Sequence, residues 1–289
     1  MPEIFDFLRL LWGTVLLRPY VFTFFAAYLF LAITAIGWRR TVLFTVIAYI
    51  IAFICEYSSI HNGFPFGLYY YIETTYNQEL WIAGVPFMDS LSFTFLSFVS
   101  YQMAVLLRSP LIVRSTDIQV VLTKQVSNSW ITCILAGVLM MYLDIVIDPV
   151  ALQGDKWFLG KIYYYPEGGS YFGITIANFF GWCFVCTAIL RVYIFLEKYI
   201  GKQESTLHYP FKGLCPAGLY FGILGFNLTM TFLIKEVTMG WASSFICFLL
   251  ALLFAQHISA CKRFNPDPSL KEHRKDYPNS SLIKAYPKL

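Results

Sequence analysis

Apolar residues along this chain gather into seven stretches, with polar and aromatic segments between them. The stretches cover residues 20–37, 41–60, 86–107, 129–149, 171–195, 214–236 and 241–260. A hydrocarbon core about 30 Å thick needs roughly 20 apolar residues per helix, so each stretch predicts one transmembrane helix. Ahead of them, residues 3–18 alternate apolar pairs with Glu3, Asp6, Arg9 and Arg18. That pattern predicts a helix lying in the membrane interface rather than a secretory signal peptide. From residue 262 the chain is polar and Pro-rich, which predicts a mobile tail. The expected organisation is an interfacial segment at 1–19, one transmembrane domain at 20–261 and a polar tail at 262–289.

Composition agrees with the pattern. Hydrophobic residues make up 58% of the 289 positions and charged residues only 13%, well outside the soluble globular range. The fold class expected is therefore an all-α polytopic bundle of about seven transmembrane helices. In a seven-span arrangement Arg39, Arg40, Arg108, Arg114, Lys124, Arg191, Lys198, Lys202, Lys212 and the basic residues from Lys262 to Lys288 share one side. Only Arg9, Arg18, Lys156, Lys161 and Lys235 fall on the other. The positive-inside rule then predicts an external N-terminus and a cytoplasmic C-terminus; the membrane expected is a prokaryotic plasma membrane, on the assumption that the source is a prokaryote. The net charge of +4 reflects this topology, with no basic aromatic patch suited to nucleic acid.

Seven cysteines, mostly inside the spans, are an odd number in apolar surroundings and argue against a disulfide framework. Cys183 and Cys186 read as small packing residues. Neither a His box nor a Gly-rich nucleotide loop is present, so no metal and no cofactor are expected.

The chemistry concentrates where charge meets apolar helix. Glu56 sits about one turn inside the end of the second span, an expensive place for an acid and so a functional candidate. The alternative is a carboxylate bonded to loop amides or paired with Lys235. Asp89 opens the third span, where it also suits the positive end of the helix dipole. Asp144 and Asp148 lie i, i+4 on the fourth span, which stacks them on one face with Cβ atoms about 5–6 Å apart. Two close acids in a poorly solvated place cannot both ionise cheaply, leaving one neutral and able to donate a proton. Neutralisation by Lys156 or Lys161 is the competing reading. Pro149 predicts that this helix stops there.

On the fifth span Asn178 and Trp182 again share a face, and Asn178 either serves the site or joins helices. Asn227 lies at mid-depth in the sixth span and Glu236 at its end. All these acids fall in one half of the membrane. The aromatic loops 61–85 and 150–170, with Tyr70, Trp157 and Tyr163, are expected to roof a carboxylate-lined pocket, or to form an interfacial belt.

The order Glu56, Gly63-Phe-Pro65-Phe-Gly67-Leu-Tyr69-Tyr70-Tyr71, Val85-Pro86, Leu143-Asp144-Ile-Val-Ile-Asp148-Pro149, Gly154-Asp-Lys-Trp157, Tyr171-Phe-Gly173 and Asn178-Phe-Phe-Gly181-Trp182 resembles the membrane carotenoid hydratase family. That family includes the bisanhydrobacterioruberin hydratases and the gamma-carotene 1'-hydroxylases. The resemblance runs over roughly residues 50 to 185. It implies cofactor-free addition of water to the terminal isoprenoid double bond of an acyclic carotenoid end. It also implies a lipid-dissolved carotenoid as the partner, and other carotenoid-pathway enzymes as neighbours. Asp144 and Asp148 are then the expected acid/base pair and Glu56 the next catalytic candidate. Asp89, Asn178, Trp182, Trp157, Tyr70, Tyr163, Glu236 and Asn227 are the expected substrate-side groups. A carotenoid cyclase or isomerase, which would quench the same cation by proton loss, remains the enzymatic alternative. A transporter or pigment-binding protein is the non-enzymatic one.

Overall fold

The computed structural model describes residues 2–114, 117–200, 207, 209–262 and 267–285. Lys202, His208, Arg263 and Lys288 lie outside the described residues. Eleven α-helices are described. The first, α1 (Pro2–Leu17), precedes α2 (Pro19–Ile36), α3 (Trp38–Asn62), α4 (Phe87–Arg108), the short α5 (Lys124–Ser127), α6 (Trp130–Leu152), α7 (Ile176–Leu196), α8 (Cys215–Leu233) and α9 (Val237–Cys261). The last two, α10 (Asp267–Asp276) and α11 (Ser281–Ala285), belong to the tail. Seven of these, α2, α3, α4, α6, α7, α8 and α9, are long and apolar enough to cross a membrane. The protein is an all-α polytopic bundle and an integral membrane protein.

The bundle is built around α4, whose span is 83% buried against 22–50% for the other six. Its buried side alternates Phe93, Phe95 and Phe98 with Ser90, Thr94, Ser97 and Ser100. Thr94 and Ser97 return their hydroxyls to the helix's own carbonyls, Ser97 Oγ to Phe93 O at 2.5 Å, and such small residues let neighbouring helices approach. Helices α6 and α7 approach closely, so that a Cβ on Gly137 would stand 2.5 Å from Cys183 O.

Three differences from the sequence expectation bear on the site. First, α6 continues past Pro149 to Leu152. Proline removes a single donor, while Val150 beyond it is fully buried against Met230 and Met239 and its carbonyl accepts Trp157 Nε1 at 3.0 Å. Second, α7 starts at Ile176 rather than Tyr171. The backbone turns at Phe172 (φ 48°) and Gly173 (φ 88°), in a bridge between Tyr171 and Ile174, and a right-handed helix cannot begin before that reversal.

Third, the tail is docked. Leu270 and Leu282 pack with Ile112 and Val121 on the hairpin of β4 (Leu111–Arg114) and β5 (Asp117–Val120). His273 spans the joint, with Nδ1 2.5 Å from Leu122 O and Nε2 2.7 Å from Ser280 Oγ. The polar composition concealed two leucines placed to meet one apolar hairpin face.

At the opposite end of the bundle the two aromatic loops are tied together. Strands β1 (Tyr70–Tyr71) and β6 (Tyr163–Tyr164) pair antiparallel, Tyr70 facing Tyr164 and Tyr71 facing Tyr163. A second small pair joins β2 (Trp81–Ile82) to β3 (Val85–Pro86).

Candidate active site

Beneath these joined loops lies a cavity of about 130 Å³ between α2, α3, α4, α6, α7 and α8. Its carboxyl and amide side chains come from five of these helices: Glu56 on α3, Asp89 on α4, Asp148 on α6, Asn178 on α7 and Asn227 on α8. Its remaining wall is largely aromatic, including Phe93, Trp157, Tyr163 and Trp182. The sequence places Glu56, Asp89, Asp148 and Asn178 in one half of the membrane and Asn227 at mid-depth, and the fold brings all five to one chamber.

The centre is the pair on α6. Asn178 Nδ2 donates to Asp144 Oδ2 at 2.8 Å and to Asp148 Oδ2 at 2.7 Å, and the two carboxyls are within hydrogen-bond reach of each other. One amide group therefore serves both acids. Asp144 is fully buried and does not line the cavity, whereas Asp148 does. The i, i+4 spacing thus yields two unlike acids, one facing the chamber and one behind it. Asp144 Oδ1 has no hydrogen-bond partner among the described residues, and no lysine neutralises the pair there, since Lys156 Nζ instead meets Glu236 Oε1 at 2.5 Å. Two carboxylates sharing one amide in such a place repel each other, and a proton held between them removes the repulsion.

Glu56 is 3% exposed and accepts Ser90 Oγ at 2.5 Å; its partner is this hydroxyl rather than Lys235. Asp89 lies near the Tyr71 hydroxyl, which in turn lies 3.2 Å from that of Tyr69. Trp182 stacks on Phe93, with ring centroids 4.4 Å apart and planes inclined 24°. In the loops, burial raises the phenols of Tyr69, Tyr71, Tyr163 and Tyr165 well above their ordinary range, and the nearby acids add to it. These hydroxyls stay protonated and able to donate.

Two expected substrate-side residues fall outside the chamber. Tyr70 is 41% exposed and lies beside Tyr164, the rings tilted by 44°, on the outer face of the strand pair. Side chains alternate sides along a strand, so Tyr69 and Tyr71 face in and Tyr70 faces out. The same alternation turns Tyr163 and Tyr165 inward and Tyr164 outward. Glu236 sits in the turn between α8 and α9, held in its ion pair with Lys156.

Sequence reasoning also missed a structural support. Arg18, 1% exposed, donates through Nη2 to Glu79 Oε1 at 2.8 Å and through Nε to Glu79 Oε2 at 3.1 Å. It also donates to the Leu159 carbonyl. This guanidinium joins the α1–α2 junction to both aromatic loops. No local pattern announces a pair 61 residues apart. The period-2 alternation of the two tyrosine runs, by contrast, was available as a signal for Tyr69, Tyr71 and Tyr165.

Fold and site together define a class: a seven-span membrane protein with an acid-lined, aromatic-walled chamber under the loops at one end. Its family is given by comparison with known proteins. The chain matches the family described as "Carotenoid biosynthesis protein" over residues 17–249, which is most of its length, and it belongs to that family. Its role accordingly lies in carotenoid biosynthesis. No curated protein and no solved structure matches it.

Proposed function

We propose that this protein is a hydratase, adding water to the terminal isoprenoid double bond of an acyclic carotenoid end. The observation that carries the reading is the Asp144–Asp148 pair bridged by the Asn178 amide and opening onto an aromatic chamber. Family membership supplies the substrate class, and a chamber set among membrane-spanning helices suits a molecule dissolved in lipid.

In this reading Asp148 is the proton donor, because it reaches the chamber while Asp144 stands behind it. Its proton passes to the less substituted alkene carbon, and the π electrons of the double bond form the new C–H bond. The other carbon becomes a tertiary cation. Ring faces such as Trp182 and Trp157 stabilise that charge by about 2 kcal/mol or more where water is excluded. Water then adds to the cation, and Glu56 or Asp89 removes a proton from it. Two acids with distinct surroundings divide the work of giving and taking a proton. The product is a tertiary alcohol, one water heavier than the substrate. Asn178 and Asp144 position Asp148, and the proton taken from water by Glu56 or Asp89 returns to the Asp144–Asp148 pair to close the cycle.

The test is expression in cells that make lycopene or gamma-carotene, followed by mass measurement of the pigments. A gain of one water is expected. An unchanged mass with an altered absorption spectrum indicates the cyclase alternative, and unaltered pigment bound to the purified protein indicates a binder.

A further inference from the structure

The opposite end of the bundle contains a second cavity, of about 260 Å³. Its floor is apolar, with Leu31 and Ala35 of α2 and Val105 of α4. Its walls carry cations from three separate elements: Arg40 at the start of α3, Lys124 at the start of α5 and Lys212 just before α8. Two carboxylates face them, Glu197 and Asp276. Asp276 Oδ2 accepts the backbone N–H of Lys124 at 2.8 Å. Glu197 Oε2 forms an ion pair with Arg40 Nη1 at 3.6 Å, longer than a hydrogen bond. Arg40 Nε is buried and has no partner among the described residues. Three cations against two carboxylates leave an excess of one positive charge, before any proton on His273. The docked tail supplies the roof through His273, Tyr277 and Leu282.

We propose that this cavity binds the phosphate of an anionic membrane lipid, with the start of its acyl chains on the apolar floor. A guanidinium with an unused buried N–H is shaped to take phosphate oxygens in pairs. Lys212 and Lys124 add charge at two further points. Arg40 and Lys212 flank the ends of membrane-crossing helices, the depth at which lipid phosphates lie, and basic pockets between such helices recognise headgroups in this way.

The experiment uses the full chain purified in detergent. Phosphatidylglycerol, phosphatidylcholine with the same acyl chains, and inorganic phosphate are titrated separately, and thermal stabilisation and retained lipid by native mass spectrometry are read. Phosphatidylglycerol should raise the Tm and remain bound, and phosphatidylcholine should do neither. Arg40→Gln and Lys212→Gln should each weaken phosphatidylglycerol binding tenfold or more, with Arg40→Lys intermediate because it keeps the charge and loses the fork. Lys124→Gln, at an exposed position that folding tolerates, should weaken it at least threefold. Equal binding of the two lipids would overturn the proposal, as would unchanged affinity in Lys124→Gln. Stabilisation by inorganic phosphate with no preference between the lipids would replace the lipid with a free anion and overturn the assignment.

Discussion

The two ends of this bundle use polar residues in opposite ways. At the loop end, three acids, Glu56, Asp89 and Asp148, line a chamber to which none of the described residues adds a basic side chain, Arg18 standing behind its wall, and their neighbours are hydroxyls, amides and rings. At the tail end, Arg40, Lys124 and Lys212 meet Glu197 and Asp276 in a cavity where opposite charges are mixed. A mixed set of charges settles into pairs and suits a charged ligand. A set of like-signed acids is kept from neutralising itself by salt bridges, so protons must do the neutralising. That difference marks the loop end as the place for proton chemistry, and it can be broken in four steps.

The largest effect is expected at the donor. Asp148→Asn keeps the shape and removes the transferable proton, and should lower hydration on the order of 10²- to 10⁴-fold, the usual worth of a general acid. Asp144→Asn, one group removed from the chamber, should cost less. Pigment mass, compared at equal amounts of membrane-inserted protein, reads both. Full activity in Asp148→Asn would end the role given to it.

Next comes the support of the loops. Arg18→Met strands Glu79 as an uncompensated buried charge and should destabilise the protein by about 3–5 kcal/mol. Adding Glu79→Leu should restore most of that, because a packed apolar pair replaces an ion pair with little loss. Thermal unfolding of the single and double variants separates a structural clamp from a catalytic group.

Alkaline pH should sharpen the comparison further. Tyr69, Tyr71, Tyr163 and Tyr165 are raised by burial, whereas in the unfolded chain they ionise near pH ~10. Above that pH the folded state binds more protons than the unfolded one, so stability falls as pH rises. Tyr69→Phe and Tyr163→Phe should each flatten the decline in Tm between about pH 9 and pH 11, and a slope unchanged by both would contradict their burial as phenols. The smallest effect belongs to the tail end. Leu270→Ala should loosen the tail at a cost of about 2 kcal/mol, the low end for a buried leucine. Pigment product should not change, and protease sensitivity of the tail would report the loosening.

Most of the architecture was legible along the chain. Seven apolar stretches, their order, and the grouping of acids toward one face follow from period and length, because a helix that crosses lipid must satisfy its own backbone and cover it with apolar side chains. The i, i+4 spacing of Asp144 and Asp148 and that of Asn178 and Trp182 likewise put each pair on one helix face. Where the reading failed, the determining contact was remote. Pro149 does not end α6, because Val150 has partners on α8 and α9. The tail is docked, because Leu270 and Leu282 find the β4–β5 hairpin. Tyr70 turns outward, because a strand pairing that joins Tyr70 to Tyr164 and Tyr71 to Tyr163, far apart in the chain, fixes which tyrosines face in.

The sequence by itself therefore determined a seven-span bundle and which acids gather at one end, through local periodicity and the cost of polarity in lipid. The tertiary structure alone decided that one Asn178 amide joins Asp144 to Asp148, that only Asp148 reaches the chamber, and that Arg18 clamps the roof through Glu79. Those outcomes depend on helix rotation and on loop pairing. Both are set by packing between residues far apart in the chain, where no local spacing carries the information.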